Sequence, residues 1–289
     1  MKRTLLILIT LTMLLPLSAF SFEPFVETEQ GAIAILSHTY QNGPAPAGGT
    51  STQFDFRNQG GQELLLPFSR YAVGATIAKN HRVWFTYQPL LVETNVTFRT
   101  DVKVGENVTG TGPMTFVAGT PMKLLYSFPF YRVSYTYDVL SKVDNAVLGL
   151  GVVVQLRNAS IRFESLTGGE NQLYVSQNLG VVPALAIYSE YSFPFGLTLS
   201  ADIAGIYASS AFFNGADFEF EGSILDASLR ASYDIGNGYS LFGVARFFGG
   251  TSNGVSQYDD DDVWTVSSYE YTQNNIATLT ASVGLKWSK

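Results

Sequence analysis

The sequence predicts an all-β chain that closes into an antiparallel transmembrane β-barrel of about ten strands, with eight or twelve strands as alternatives. Three observations support this: long strands of alternating polarity, connections that alternate in length, and few charged residues. From 225 to 247, lipophilic or small residues occupy every second position on both sides of the turn Gly236-Asn237-Gly238. Each arm holds at least the roughly 9–11 residues that a tilted strand needs to cross a bilayer.

The composition agrees with a membrane barrel and narrows the chemistry. Charged residues make up 14% of the 289 residues, whereas soluble domains have roughly 25%. The aromatic content of 14% fits aromatic girdles at two membrane interfaces, although a secreted β-sandwich can also be aromatic-rich. There is no cysteine and the net charge is -7. These features exclude disulfides and cysteine-bound metals, and they argue against nucleic acid as a partner. We expect no cofactor.

The amino-terminal residues predict export. Lys2 and Arg3 precede an apolar run at 5–17, and small residues follow it. This pattern is typical of a secretory signal peptide that is cut after Ala19 or after Ser21. We therefore predict a signal peptide at 1–21 and a barrel at 22–289.

Alternation and turn residues together predict the strands and their connections. The strands are expected at 29–40, 64–78, 82–98, 122–137, 145–163, 173–190, 196–209, 217–235, 239–250 and 264–288. Short connections are expected at 79–81, 138–144, 191–195 and 236–238. Longer connections are expected at 41–63, 99–121, 164–172, 210–216 and 251–263. Short periplasmic turns and long outer loops are typical of bacterial outer-membrane barrels, which predicts that location with both chain ends in the periplasm.

The strand pattern also predicts which side chains face inward. In the fifth strand, alternate leucines and valines are expected to face lipid, while Gly149, Gly151, Gln155 and Arg157 face the lumen. Pro89 and Pro183 interrupt good strands, and each removes a ladder hydrogen bond. We expect bulges at both prolines and a shift of register beyond Pro89.

Charged residues of the inward parity are the main candidates for a functional set. In a narrow barrel they most simply form a network of salt bridges that fills the lumen, and a selective conduit is the alternative. The expected lumen residues are Arg132, Arg157, Glu190, Asp202, Asp226, Arg230, Asp234, Arg246 and Lys286.

The carboxyl end carries a short motif. Ser282, Gly284 and Trp287 follow the spacing polar residue, glycine, aromatic, which resembles the carboxy-terminal assembly signal of bacterial outer-membrane barrels. Lys289 stands where that family commonly ends in an aromatic residue. The resemblance implies that the barrel-assembly machinery and outer-membrane lipid are partners.

Candidate catalytic and ligand-binding residues are few. His81 is expected in a solvated turn, and His38 lies near the outer end of the first strand without a local acid or serine partner. The strand count resembles that of the omptin proteases, but their Asp-x-His element is absent from the sequence, so their activity does not carry over. The acidic run 259–262 lacks the spacing of a calcium loop. It marks a loop, 251–263, that is a candidate site for an extracellular ligand.

The sequence thus favours a non-enzymatic outer-membrane barrel with a largely plugged, polar lumen and a structural or surface-interaction role. Ten strands are far fewer than the sixteen or so that open an aqueous channel. A conduit for small solutes or ions is the first alternative. A barrel-hosted hydrolase is the second.

Overall fold

The computed structural model describes residues 21–44, 50–105, 113–167, 172–209, 220–256 and 270–289, in which all regular structure is β-strand. Within these ranges no helix is long and apolar enough to cross a membrane. The strands are β1 (Phe22–Pro44), β2 (Phe54–Asp55), β3 (Leu65–Ile77), β4 (His81–Gln88), β5 (Leu91–Thr97), β6 (Val102–Val104), β7 (Met114–Phe116), β8 (Pro121–Ser127), β9 (Phe130–Asp138), β10 (Ala146–Ser165), β11 (Leu173–Ser192), β12 (Leu197–Ser209), β13 (Phe220–Gly236), β14 (Tyr239–Ser256) and β15 (Glu270–Ser288). The predicted signal peptide lies outside the described residues, except Ser21, and stays a prediction.

Ten long strands form a closed antiparallel barrel. They are β1, β3, β4 and β9 to β15, and β15 pairs with β1 to complete the circle. The predicted fold class is therefore confirmed. The first strand begins at Phe22 rather than at residue 29. The charged residues Glu27 and Glu29 can belong to this strand because they point into the lumen, where they pair with Arg230 and Arg70.

The outer surface is apolar, as the alternating pattern predicts. Leu150, Val152 and Val154 of β10 are 47–49% exposed, whereas Gln155 faces inward and is 2% exposed. Such a belt is stable only against hydrocarbon, because a barrel in water would expose it. Large aromatic side chains surround the end that carries the short turns: Tyr137, Tyr191, Phe195, Tyr233, Tyr239 and Trp287. We refer to this end as periplasmic and to the opposite end as outer, following the loop-length rule.

The strand predicted at 82–98 bends sharply at Pro89, and its neighbour bends at Pro129. The predicted register shift is wrong: Gln88 pairs with Phe130 and Leu91 pairs with Ser127, which is one continuous register. The pairing with β3 is lost instead, since β4 pairs with β3 but β5 pairs only with β8 among the described residues. The hairpin of β5 and β8 is therefore separated from β3, while β8 still pairs with β10, and Val92 and Tyr126 of this hairpin are buried in the core.

Segment 54–62 fills the space beside the bent hairpin. Its strand β2 pairs with β1 through Tyr40 and Phe54. A bulge between Ile35 and Ser37 reverses the facing of β1, so that His38 and Tyr40 turn inward beyond it. Bulges change parity in this way because one extra residue is accommodated on one strand.

The lumen has two halves of opposite character. The periplasmic half is ionic, whereas the outer half is a large apolar core that includes Phe54, Phe56, Phe98, Phe116 and Phe163. The prediction of a plugged polar lumen is therefore wrong for the outer half. The inward-facing strand positions there are apolar, and the folded-in segments add further aromatic side chains to fill the bore.

Candidate functional site

An ion-pair network, which we call the ionic plug, closes the periplasmic half of the lumen. Arg132 on β9 contacts Asp226 on β13 at 2.6 Å, and Arg246 contacts the other oxygen of Asp226 at 3.3 Å. Arg246 also lies 3.8 Å from Glu29, which Arg70 contacts at 3.4 Å. These strands lie on different sides of the barrel, so the network crosses the bore. Its members are buried, and each charge has an opposite partner, as burial requires.

A second cluster lies beside the plug, nearer the periplasmic end. Arg230 binds Glu27 in bidentate fashion at 3.0 and 2.6 Å, and its guanidinium stacks 3.8 Å from the centre of the Phe242 ring. Arg82 lies over the rings of Tyr188 and Phe25 at 4.2 and 4.9 Å. The void among these groups is only about 30 Å³. The described lumen is therefore filled at this level.

The structure places the predicted lumen residues in several environments. Arg132, Asp226, Arg230 and Arg246 take part in the buried ion pairs. Asp202 lies beside that network, and Glu190 and Lys286 line a polar cavity of 260 Å³ at the periplasmic end. Asp234 lies outside the network, because it is exposed and accepts a hydrogen bond from the Gly236 amide in a turn. The side chain of Arg157 lies outside the described part of the chain.

Several buried charges escaped the sequence prediction. Glu27 and Glu29, which precede or begin the predicted first strand, and Arg70, which lies within a predicted strand, are buried. Arg82, also within a predicted strand, is half-buried. Each of them is next to an outward-facing residue such as Val26, Tyr71 or Val83. Because successive side chains of a strand point to opposite faces, this alternation identifies all four as inward-facing. Their partners could not be predicted, because cross-lumen contacts depend on barrel closure.

The two histidines lie in different surroundings. The His38 side chain is fully buried; its Nδ1 is 2.8 Å from Oε1 of Gln62, and its ring stacks on Phe56. No carboxylate or serine is hydrogen-bonded to it among the described residues. His81 begins β4, and its Nδ1 is 2.9 Å from the Tyr135 hydroxyl. Neither geometry is that of a general base aligned with a nucleophile.

A turn at 55–58 holds the segment that carries Gln62. Oδ1 of Asp55 accepts hydrogen bonds from the backbone amides of Arg57 and Asn58, both at 2.9 Å. Partial burial raises the pKa of Asp55, but the hydrogen bonds from Asn58 and Arg57 outweigh burial and lower it below the usual value. The charged carboxylate therefore stabilises this turn at neutral pH.

Among the described residues, the pairing between β11 and β12 ends part-way along the barrel wall. Their pairing runs from Ser192 with Thr198 to Leu185 with Gly205 and stops there. Beyond that rung β11 still pairs with β10, through Pro183 and as far as Leu173, and β12 still pairs with β13. The predicted bulge at Pro183 is therefore wrong. Instead, β11 keeps its pairing with β10 and loses its pairing with β12 next to Pro183, which has no N–H to donate.

An apolar cavity of 370 Å³ lies directly behind this wall gap. Val182 and Pro183 border it on one side and Ile206 and Ala208 on the other. Small inward residues create the space: Ala208 pairs with Gly222, and Ile224 pairs with Gly250 on the next strand. The remaining lining combines the aromatic and aliphatic residues Tyr126, Phe128, Val181, Phe248 and Ile276 with the polar residues Gln155, Ser209, Ser223, Thr251 and Asn274.

Gln155 connects the cavity to the ionic plug, because it lines the cavity and is hydrogen-bonded to Arg132. Oε1 of Gln155 accepts hydrogen bonds from Nη2 and Nε of Arg132, at 2.8 and 3.3 Å. Gln155 is 2% exposed and lines the cavity, and its Nε2 has no hydrogen-bond partner among the described residues. The cavity thus has a mainly apolar surface, with the unpartnered Nε2 of Gln155 at its floor.

A protein of known structure shares the fold of this chain. The outer-membrane protease OmpT from Escherichia coli matches with a TM-score of 0.51 and 10% sequence identity, over 93% of this chain and 98% of that chain. This chain has the fold of the bacterial outer-membrane β-barrels. The outer-membrane β-barrel fold predicted from the sequence is confirmed, and the apolar belt agrees with the predicted location in the outer membrane.

Two other barrels match with lower TM-scores. Ail of Yersinia pestis matches with a TM-score of 0.34 and 5% identity, over 91% of this chain and 99% of that chain. OprG of Pseudomonas aeruginosa matches with a TM-score of 0.32 and 8% identity, over 92% and 96%. No family model and no curated protein sequence matches the chain.

The carboxy-terminal motif of the barrel lies on β15. Ser282 donates a hydrogen bond to Glu29, Gly284 packs under Phe242, and Trp287 belongs to the periplasmic girdle. Its role as an assembly signal stays a prediction. The acidic run 259–262 lies outside the described residues, so an extracellular ligand at 251–263 also stays a prediction.

Proposed function

We propose that this barrel binds apolar small molecules in the cavity behind the gap between β11 and β12, and exchanges them laterally with the outer leaflet of the membrane. The observation that carries the proposal is the coincidence of two features. The strand ladder ends at Leu185, and the apolar cavity opens at that point, between Val182 and Ala208.

The surroundings of the gap favour exchange with lipid. Val181 and Leu185 flank it on the outer surface and are 66% and 69% exposed. A molecule leaving the cavity here enters hydrocarbon without crossing water, so its apolar surface stays covered. The cavity volume falls within the range of small-molecule pockets, about 300–1,000 Å³.

The ionic plug argues against the alternative of an aqueous conduit through the bore. An ion that passes along the lumen would have to displace the buried pair of Arg132 and Asp226. A proteolytic or hydrolytic role has no support from His38, whose described hydrogen-bond partner is an amide. The proposed role is therefore binding and transfer, without catalysis.

The test is equilibrium binding of isotopically labelled undecane to the barrel in lipid nanodiscs, with empty nanodiscs as background. Gly250→Phe should abolish the excess binding, because a side chain there meets Phe248 at 3.4 Å and extends into the cavity. Gly243→Phe is the matched control on the same strand and the outward face, and should bind as the original chain does. Absence of excess binding by the original chain, or full binding by Gly250→Phe, contradicts the proposal.

A further inference from the structure

We infer that the cavity selects uncharged lipophiles that carry a hydrogen-bond-accepting oxygen, such as an ester or ketone, and that Nε2 of Gln155 binds this oxygen. The inference rests on the proposed function and specifies its ligand class. It starts from a buried, unpartnered polar group that lies at the floor of a mainly apolar cavity.

The orientation of the Gln155 amide follows from its neighbour. Arg132 donates two hydrogen bonds to Oε1, and flipping the amide would place an NH2 group against a guanidinium, where both are donors. The amide nitrogen is therefore the polar end left for the cavity. Gln155 is 2% exposed and its Nε2 has no partner within the described chain, so an acceptor from a ligand would satisfy it.

The charge of the ligand follows from the lining. The described residues that line the cavity include no Asp, Glu, Lys or Arg. The nearest cation behind Gln155 is Arg132, which is already paired with Asp226 at 2.6 Å. A carboxylate would be buried here without a counter-charge, which is strongly unfavourable. A neutral oxygen needs only the amide donor.

A second polar atom faces the same space from β15. Asn274 lines the cavity, is 6% exposed, and its Oδ1 has no hydrogen-bond partner among the described residues. Oδ1 of Asn274 is positioned to accept a hydrogen bond from a hydroxyl group of the ligand. Two unsatisfied polar groups in one apolar cavity indicate a ligand with a polar head and an apolar body.

The experiment compares methyl decanoate, undecane and decanoate as labelled ligands of the nanodisc-embedded barrel. Methyl decanoate should bind about three- to ten-fold more tightly than undecane, the increment of one hydrogen bond. Decanoate should bind more weakly than the ester. Gln155→Glu keeps an acceptor for Arg132 but removes the donor, so the ratio of the ester affinity to the undecane affinity should fall to about one.

The outcomes separate this inference from the proposed function. Binding of undecane and the ester with equal affinity, or an ester preference that survives Gln155→Glu, overturns the inference and leaves the cavity proposal standing. Preferential binding of decanoate also overturns it. Absence of binding by all three ligands removes the proposed function and the inference together. Gly250→Phe should abolish binding of both neutral ligands. Heat-modifiable migration in SDS gels verifies that each variant is folded.

Discussion

Arg132 and Asp226 lie on strands separated by β10, β11 and β12, yet their side chains meet at 2.6 Å inside the barrel. The pair joins two walls of the cylinder. Through Gln155, Arg132 also forms the base of the apolar cavity. The same ion pair therefore closes the bore toward the periplasm and orients the Gln155 amide that the cavity offers to a ligand.

Removing the charge of Asp226 should destabilise the barrel. Asp226→Asn leaves Arg132 and Arg246 without their shared counter-charge, and loss of one partner from a buried pair costs about 3–5 kcal/mol. Denaturant unfolding in lipid vesicles, followed by tryptophan fluorescence, measures the change. Asp234→Asn is the control on the same strand and should stay within about 0.5 kcal/mol, because Asp234 is exposed. Equal effects of the two substitutions would refute a structural role for the plug.

The intact barrel should not conduct ions. The plug leaves a void of only about 30 Å³ among its charged groups, which is far from a continuous water path. Planar-bilayer recordings of the purified chain should contain no stable conductance steps, whereas a porin reconstituted in the same way should give them. Reproducible steps from the original chain would restore the ion-conduit alternative.

Gly284 should tolerate no side chain. An added Cβ would lie 2.2 Å from the Phe242 ring and 2.4 Å from the carbonyl oxygen of Thr28. Gly284→Ala should therefore destabilise the barrel by about 1–3 kcal/mol through overpacking. Gly243→Ala is the control, since its nearest neighbour would be 3.9 Å away.

Refolding into lipid vesicles without any assembly machinery distinguishes packing from recognition at Gly284. A loss of folded protein in that system identifies a steric cause. Normal refolding there, with failure only in cells, would instead support the assembly-signal prediction for this motif.

Tying the two edges of the wall gap together should slow ligand exchange. Val182 and Ala208 would face each other two inward rungs further along the ladder if the pairing register of Ala186 with Ala204 continued. The natural chain has no cysteine, so Val182→Cys with Ala208→Cys provides a single engineered bridge. Oxidation should slow the release of bound undecane, and reduction should restore it.

The control for this bridge is Ala186→Cys with Ala204→Cys. These residues already pair in the ladder, so a disulfide there should leave release unchanged. Equal release rates before and after oxidation of the Val182 and Ala208 pair would place the exit somewhere other than the gap.

Local pattern was sufficient to predict the barrel, its ten strands and the inward facing of Gln155. Side-chain parity has a period of two, so a long strand reveals its two faces without knowledge of its neighbours. The pattern gave wrong predictions at two places. The bulge near Leu36 adds one residue and reverses which side chains of β1 face the lumen. Beyond Pro89 the pairing with β3 is lost, so β5 pairs with β8 alone among the described residues. The aromatic core of the outer half was missed in part for the same reason, since segments that leave the wall add aromatic side chains to the apolar inward positions of the strands.

The sequence by itself determined that this chain closes as an antiparallel cylinder with an apolar outer belt, because alternation, turn spacing and low charge are local properties. Only the tertiary structure decided which charges meet in the plug, where the wall opens beside Pro183, and that an apolar cavity lies behind the opening. Those features depend on the register and curvature of all ten strands together. A given residue contacts the opposite wall only after the barrel has closed.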